Sequence, residues 1–409
     1  MKSLRDMAAA FTEDYFERKD KLYRKGIFGY FTNSRGYVII LVLIITTVLI
    51  SITADFIVTS QTSINYMRKF DHRLKAGMLA KSGVKLGEYM LQADKKGLAA
   101  QMITGKETDK NIDSYDDLWA VDYPAIPIDD GTLKIKISDE NSKINISAFA
   151  NEFTEKTKYY YMAQIFFLNM GLPMDFADIM HDWVDIDDTP MPYGAETSDY
   201  YLSLNPSYSA KNGAMDSIDE VLMLKDMTPE IYYGLGGGNS GLEQNLVDSN
   251  TGDVSLDMDK IQSLTESNTS PDNRKADTEM KDKEIGREKS RALPDYFRVN
   301  GKRDDFLHEY NKININTAPY RIISALTENM TDDKVSEVIR RRLIQPFRSI
   351  NEIKEIIDDD DAFDILQKYI TVKSYIFKIQ ATAAVGRTKV IITAIYNRDT
   401  KKILYWCEE

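Results

Sequence analysis

The sequence predicts an α+β chain: one long helix near the N-terminus, helical units through the middle, and strand-like runs on either side of them. Three observations carry this. An uncharged apolar run continues into an amphipathic helical pattern, short strings alternate apolar and polar residues at period two, and one helical unit occurs twice in order.

The apolar run extends from Tyr37 to Ala54 without a charge, a glycine or a proline. Eighteen residues at roughly 1.5 Å each give roughly 27 Å of helix, enough to cross a hydrocarbon core. Ile, Leu and Val cover every face, which argues against a core helix with one polar stripe. The run is also too long and too far from Met1 for a signal peptide. Beyond Asp55, residues Ile57, Ile64, Met67, Phe70, Leu74, Met78 and Leu79 recur at helical spacing, and the first proline is Pro124. One helix from about Tyr37 to about Ala93 follows, with its first third, 37–54, in the membrane. Gly77, Gly83 and Gly87 weaken its far half, each by about 1 kcal/mol relative to alanine.

Across 409 residues the net charge is −12, while Met1 to Gly36 holds eight Lys/Arg against five Asp/Glu, so the remainder stands at −15. A basic leader before an acidic bulk places the N-terminus in the cytoplasm and the bulk across the membrane. The acidic bulk argues against non-specific nucleic-acid binding. A single cysteine, Cys407, excludes an internal disulfide. The chain carries no His-Glu-x-x-His, no phosphate-binding glycine loop and no Gly-x-Ser-x-Gly, so a non-enzymatic role is expected.

Leu133 to Ile137 alternates as a strand with one wet face, and Asp139 to Ser142 turns it into Lys143-Ile144-Asn145-Ile146. Helical patterns follow at about Lys156 to Met170 and Pro173 to Trp183, then a long polar loop from Asp185 to Asn212. Asp216-Ser217 caps a short helix from Ile218 to Leu224. Gly236 to Ala292 has no aromatic residue and is expected to be disordered. Lys312 to Pro319 precedes helices at about Tyr320 to Glu328, Asp332 to Leu343 and Asn351 to Ile357. The chain closes in strand-like runs, Tyr369 to Ala384, Thr388 to Tyr396 and Ile403 to Trp406, the first two joined by a hairpin at Gly386. The expected organisation is a leader (1–36), the long helix (37–93), a first sheet portion (94–142), helical unit 1 (143–235), the insertion (236–292), helical unit 2 (293–368) and the closing strands (369–409).

Lys143-Ile-Asn-Ile-Ser-Ala and Lys312-Ile-Asn-Ile-Asn-Thr-Ala are near copies. Each is followed by helices and then by a matching string, Ser217-Ile218-Asp219-Glu220-Val221 and Ser349-Ile350-Asn351-Glu352-Ile353. The long N-terminal helix resembles that of type IV pilins and pseudopilins, in which a prepilin peptidase cuts after a glycine preceded by basic residues. Gly36 matches that glycine, which makes Tyr37 the new N-terminus. Asp182-Trp183-Val184-Asp185-Ile186-Asp187-Asp188, Gly194-Ala195-Glu196, Tyr200-Tyr201, Lys312 to Pro319 and Ile403 to Trp406 are similar to the type II secretion system protein K family, the large minor pseudopilins. That family typically lacks the glutamate that other pilins carry at mature position five, and Leu41 stands there. The long leader and the Gly236 to Ala292 insertion depart from the family pattern.

The resemblance implies a pilin-like fold with an antiparallel sheet and a large helical domain inserted between its strands. It implies a single-pass bacterial inner-membrane protein, with its bulk in the periplasm, that caps the pseudopilus tip. The implied partners are the minor pseudopilins I, J and H, the prepilin peptidase and the inner-membrane secretion platform, with no nucleic acid.

Asp185, Asp187 and Glu196 stand at relative positions one, three and twelve, the oxygen-ligand spacing of an EF-hand loop. Position six is Pro190 instead of glycine, so the loop is no EF-hand, yet it can still hold Ca2+. Asp182, Asp188 and Asp199 add carboxylates that would repel one another without a cation. The resemblance, to a family with calcium sites here, points the same way. His72, His181 and His308 with Cys407 offer no expected zinc cluster, and His181, beside Met180 and Trp183, reads as a packing residue.

A rival reading takes Ile313 to Ala318 and the following helices as a helix-hairpin-helix unit of a membrane-anchored competence protein that takes up DNA. The hairpin segment Glu328 to Asp333 has no glycine and three acids, and although Arg340, Arg341 and Arg342 could touch phosphate, two of three consecutive residues on a helix simply face solvent. A protein–protein scaffold is the favoured reading.

Overall fold

The computed structural model describes residues 34–96, 110–150, 156–234, 292–300 and 307–409. Most of the leader and all but Ala292 of the expected disordered insertion lie outside them. The chain divides into two units, Met1–His72 and Arg73–Glu409.

Helix α1 runs from Ser34 to Lys95. In the first unit its large apolar residues from Tyr37 to Val58 are all exposed. Among the described residues it is the one helix long and apolar enough to span a membrane. In the second unit it changes character. Ala76, Ala80, Val84 and Leu91 are fully buried, and the glycines that weaken the helix let it approach its neighbours closely. A β-carbon on Gly83 would lie 2.7 Å from Leu133 Cδ1 and 2.9 Å from the β-carbon of Ala381, and one on Gly87 would lie 2.7 Å from Ile379 Cγ2.

These contacts are with a five-stranded antiparallel sheet. Strands β1 (Ile126–Ile128) and β2 (Gly131–Asp139) form its near side. Between β2 and the rest of the sheet come β3 (Ile144–Asn145), α2 (Lys158–Met170), α3 (Asp175–Val184) and α4 (Pro229–Tyr232). Then follow β4 (Phe297–Arg298), β5 (Ile313–Asn314), α5 (Tyr320–Ser324), α6 (Asp332–Ile344), α7 (Lys354–Ile357), α8 (Asp360–Leu366) and β6 (Ile370–Thr371). Strands β7 (Ile376–Val385), β8 (Thr388–Asn397) and β9 (Lys402–Glu408) complete the sheet in the order β1-β2-β7-β8-β9. The helical region is thus an insertion between two hydrogen-bonded neighbours, β2 and β7, paired from Gly131↔Val385 to Asp139↔Phe377. Leu133, Ile135 and Ile137 are buried while Lys134 and Lys136 face water, as the alternation predicts.

The repeat is visible in the geometry. Asn145 and Asn314 each accept a hydrogen bond from the backbone N–H two residues on, at 3.2 and 3.0 Å. Ser217 with Glu220, and Ser349 with Glu352, each form a complete capping box over a 3-10 turn. Each unit opens on a short strand that is paired in parallel with a later one: β3 with β4, and β5 with β6. This moves two boundaries. Phe297–Arg298, expected in the second unit, closes the first, so Gly236 to Ala292 interrupts unit 1. Ile370–Thr371, expected with the sheet, closes unit 2, and the run Tyr369 to Ala384 breaks near Ser374.

Behind the sheet, Arg398 is buried and donates to both oxygens of Asp113, at 2.6 and 2.7 Å, and to Asp94 at 3.2 Å. Its guanidinium also lies over the Phe377 ring. Asp94 sits at the end of α1 and Arg398 just beyond β8, so the pair fastens the helix end to the sheet.

Candidate metal centre

The site is built on the end of α3 and the loop that follows it. Burial of Phe176, Ile179, Met180, Trp183 and Val184 anchors the helix. Trp183 stacks edge-on against Tyr201 at 5.2 Å, and its indole N–H donates to Glu220 of the first capping box at 3.4 Å. Lys225 donates to the Gly194 carbonyl at 3.1 Å. The loop is therefore held by an aromatic cluster and a capping box on one side and by its own amides on the other.

Two groups of donors form. Asp185, Asp187 and Glu196 each bring a carboxylate oxygen within 4.8 Å of the others, and so do the donor atoms of His181, Asp182 and Asp185. Asp182 Oδ2 accepts from the amides of Met191 (3.0 Å) and Ala195 (2.9 Å). Asp188 and Asp199 belong to neither group: Asp188 accepts from Ser198 N at 3.4 Å and Asp199 from Glu196 N at 2.7 Å, so both shape the loop.

Glu196 is fully buried with no hydrogen-bond partner on either carboxylate oxygen, and Asp185 Oδ1 is likewise orphaned. Burial first, then the charges of Asp182, Asp185 and Asp188, push the Glu196 carboxyl up to about 8. Burial also raises Asp182 and Asp185. Orphaned, mutually repelling carboxylates in a buried site are the arrangement a hard divalent cation relieves, and oxygen donors at EF-hand positions one, three and twelve fit Ca2+. The third acidic group, Asp94, Asp113 and Asp117, is different, because the Arg398 guanidinium already supplies its counter-charge.

Sequence reasoning missed three contributors. His181 is fully buried but does more than pack: its Nδ1 lies 3.4 Å from Asp185 Oδ2. The i,i+4 spacing of His181 and Asp185 was the available signal. Gly194 leaves room for the Asp182 carboxylate. Asn212 donates to the Asp187 carbonyl at 2.5 Å while its own Oδ1 is buried without a partner.

Comparison with known proteins addresses the frame around the site. Family models described as type II secretion system (T2SS), protein K match residues 142–236 and 313–373, one on each helical unit. Both helical units thus match the type II secretion system protein K family. The chain is 27% identical to type II secretion system protein K of Pectobacterium carotovorum over 217 residues, which covers 50% of this chain and 62% of that relative. Against protein K of Aeromonas hydrophila it is 28% identical over 141 residues, 31% of this chain and 42% of the relative. The chain therefore spans less than two thirds of the length of these family members. The crystal structure of the GspK-GspI-GspJ complex from enterotoxigenic Escherichia coli contains a chain of the same fold. It matches with a TM-score of 0.52 and 13% identity, covering 86% of this chain and 99% of that one. The α+β architecture is shared with that solved chain, and the acidic loop falls within the first matched stretch.

The helix-hairpin-helix alternative finds no support. Arg340 and Arg341 are engaged by Glu337, and Arg342 donates to the carbonyls of Ile315 and Ala318 at 2.9 and 2.7 Å. Arg342 braces unit 2, while Arg340 and Arg341 already have carboxylate partners on its surface.

Proposed function

We propose that this protein is a minor pseudopilin of the type II secretion system, a structural and non-enzymatic component at the tip of the periplasmic pseudopilus. The observation that carries this reading is the family match on both helical units of a chain whose N-terminal helix starts with an exposed apolar span. Residues Tyr37 to Ala54 anchor it in the inner membrane, with the N-terminus cytoplasmic and the bulk periplasmic. A prepilin peptidase cuts between Gly36 and Tyr37. A subunit with so large an insertion between β2 and β7 would clash if stacked repeatedly in a thin helical fibre, which favours the tip.

Because the related chain was solved in a complex with GspI and GspJ, the partners proposed here are the corresponding minor pseudopilins I and J, together with H and the inner-membrane platform. Asp185, Asp187 and Glu196 would hold Ca2+, with Asp182 bracing the loop. The test is purification of the full chain from membranes of its own host. Recovery of other minor pseudopilins with it, and an N-terminus at Tyr37, are expected. Material that begins at Met1 and carries none of them sinks the reading.

A further inference from the structure

Where the end of α1 meets the sheet, one guanidinium serves three carboxylates. Asp94, Asp113 and Asp117 are all buried, and one oxygen from each lies within 4.8 Å of the others. Arg398 grips both oxygens of Asp113 and reaches Asp94. Its ion pairs stop there. Asp117 Oδ2 accepts instead from the Ser114 amide at 2.8 Å and from the Trp119 indole N–H at 3.3 Å, two donors that carry no charge. The charged groups facing Asp117 are Asp94, from α1, and Asp113, from its own segment, both of its own sign. Lys95, next to Asp94, pairs with Asp399, and Asp139, at the end of β2, is taken up by Thr317, Ser374 and Asn314. Asp117 is therefore the member of the cluster best placed to keep a proton. Burial first, then Asp94, push its carboxyl up to about 8. The turn around it rests on the sheet through Trp119, which is buried and meets the Phe377 ring edge-on at 5.1 Å.

We propose that Asp117 is a proton-operated latch: while its carboxyl keeps a proton, the turn 114–120 and the end of α1 stay seated on the sheet, and loss of that proton releases the turn. Ionised Asp117 sets a third negative charge against a single guanidinium in a buried site. The repulsion is relieved when the turn moves outward and takes Trp119 off Phe377. Asp94 belongs to both the cluster and α1, so the same event loosens the helix end. The seating of α1 on the sheet thereby depends on the pH around the folded unit.

The experiment uses the full chain in detergent, grown with fluorotryptophan, and follows the fluorine resonance of Trp119, identified by its loss in Trp119→Phe. In wild type that resonance is expected to move once as pH rises, with a midpoint near the Asp117 value of about 8. Asp117→Asn keeps an oxygen for both donors but cannot ionise, so its resonance is expected to hold the acid position throughout. Amide hydrogen exchange over 114–120 should match in the two proteins at about pH 6 and be faster in wild type at about pH 9. A wild-type resonance that stays fixed over this range, or one that moves equally in Asp117→Asn, overturns the proposal. Should Asp117→Asn fail to melt cooperatively, Asp94→Asn decides. Removing that neighbouring negative charge should bring the Trp119 midpoint to lower pH, and an unchanged midpoint overturns the latch.

Discussion

Gly194 lies so close to Asp182 that a β-carbon on the glycine would sit 1.8 Å from Asp182 Oδ2 and 2.6 Å from its Cγ. No side chain fits there, although the Gly194 backbone itself is unstrained. Gly194→Ala should therefore displace the carboxylate from the amides of Met191 and Ala195, at a cost of about 1–3 kcal/mol. Thermal melting without metal checks this, and a variant within experimental error of wild type would show that the loop can shift freely.

Calcium should raise the melting temperature of the protein and a chelator should lower it. A ligand that binds only the native state contributes about 2.7 kcal/mol at a hundredfold excess over Kd. Asp185→Ala or Glu196→Ala should abolish the difference, while Asp277→Ala should leave it intact. Superimposable curves with calcium and with chelator, at matched ionic strength, would count decisively against the site.

The pH dependence has a definite sign. With its carboxyl raised to about 8 from an ordinary 4.5, folded Glu196 keeps a proton across a range in which the unfolded chain has released it. Stability without calcium should fall as pH rises from about 5 to about 8. Asp94 and Asp117, pushed up to about 6 and about 8 chiefly by burial, tilt the curve the same way. The informative quantity is therefore wild type minus Glu196→Gln. That difference should decline with pH without calcium and flatten with it, because calcium binds the ionised form. A difference independent of pH would mean that Glu196 is not held protonated.

Arg398→Met should destabilise the protein by about 3–5 kcal/mol, since removing one partner leaves the Asp94 and Asp113 carboxylates buried without their counter-charge. Arg398→Lys should recover only part of this, because an ammonium cannot grip both Asp113 oxygens. Denaturant titration measures both, and a loss under about 1 kcal/mol for the methionine variant would remove the clamp from the account of how α1 is fastened.

By itself the sequence determined what is local. The span from Tyr37 to Ala54, the alternation of Leu133 to Ile137, the hairpin at Gly386 and the cap at Ser217 all rest on neighbours within a few residues. The acidic loop was legible in its carboxylate spacing, and family resemblance added the reading of the helical domain as an insertion between strands. The tertiary structure decided what depends on distant contacts. Nothing in Phe297–Arg298 or Ile370–Thr371 announces which strand each pairs with, so both unit boundaries shifted. Gly83 and Gly87 read as weak points of a helix until Leu133, Ala381 and Ile379 are seen against them. His181 read as packing because a helical pattern reports which face is buried. The i,i+4 spacing already sets His181 beside Asp185, but only the fold buries them with Glu196, and that burial turns ordinary acids into a site that a cation would relieve.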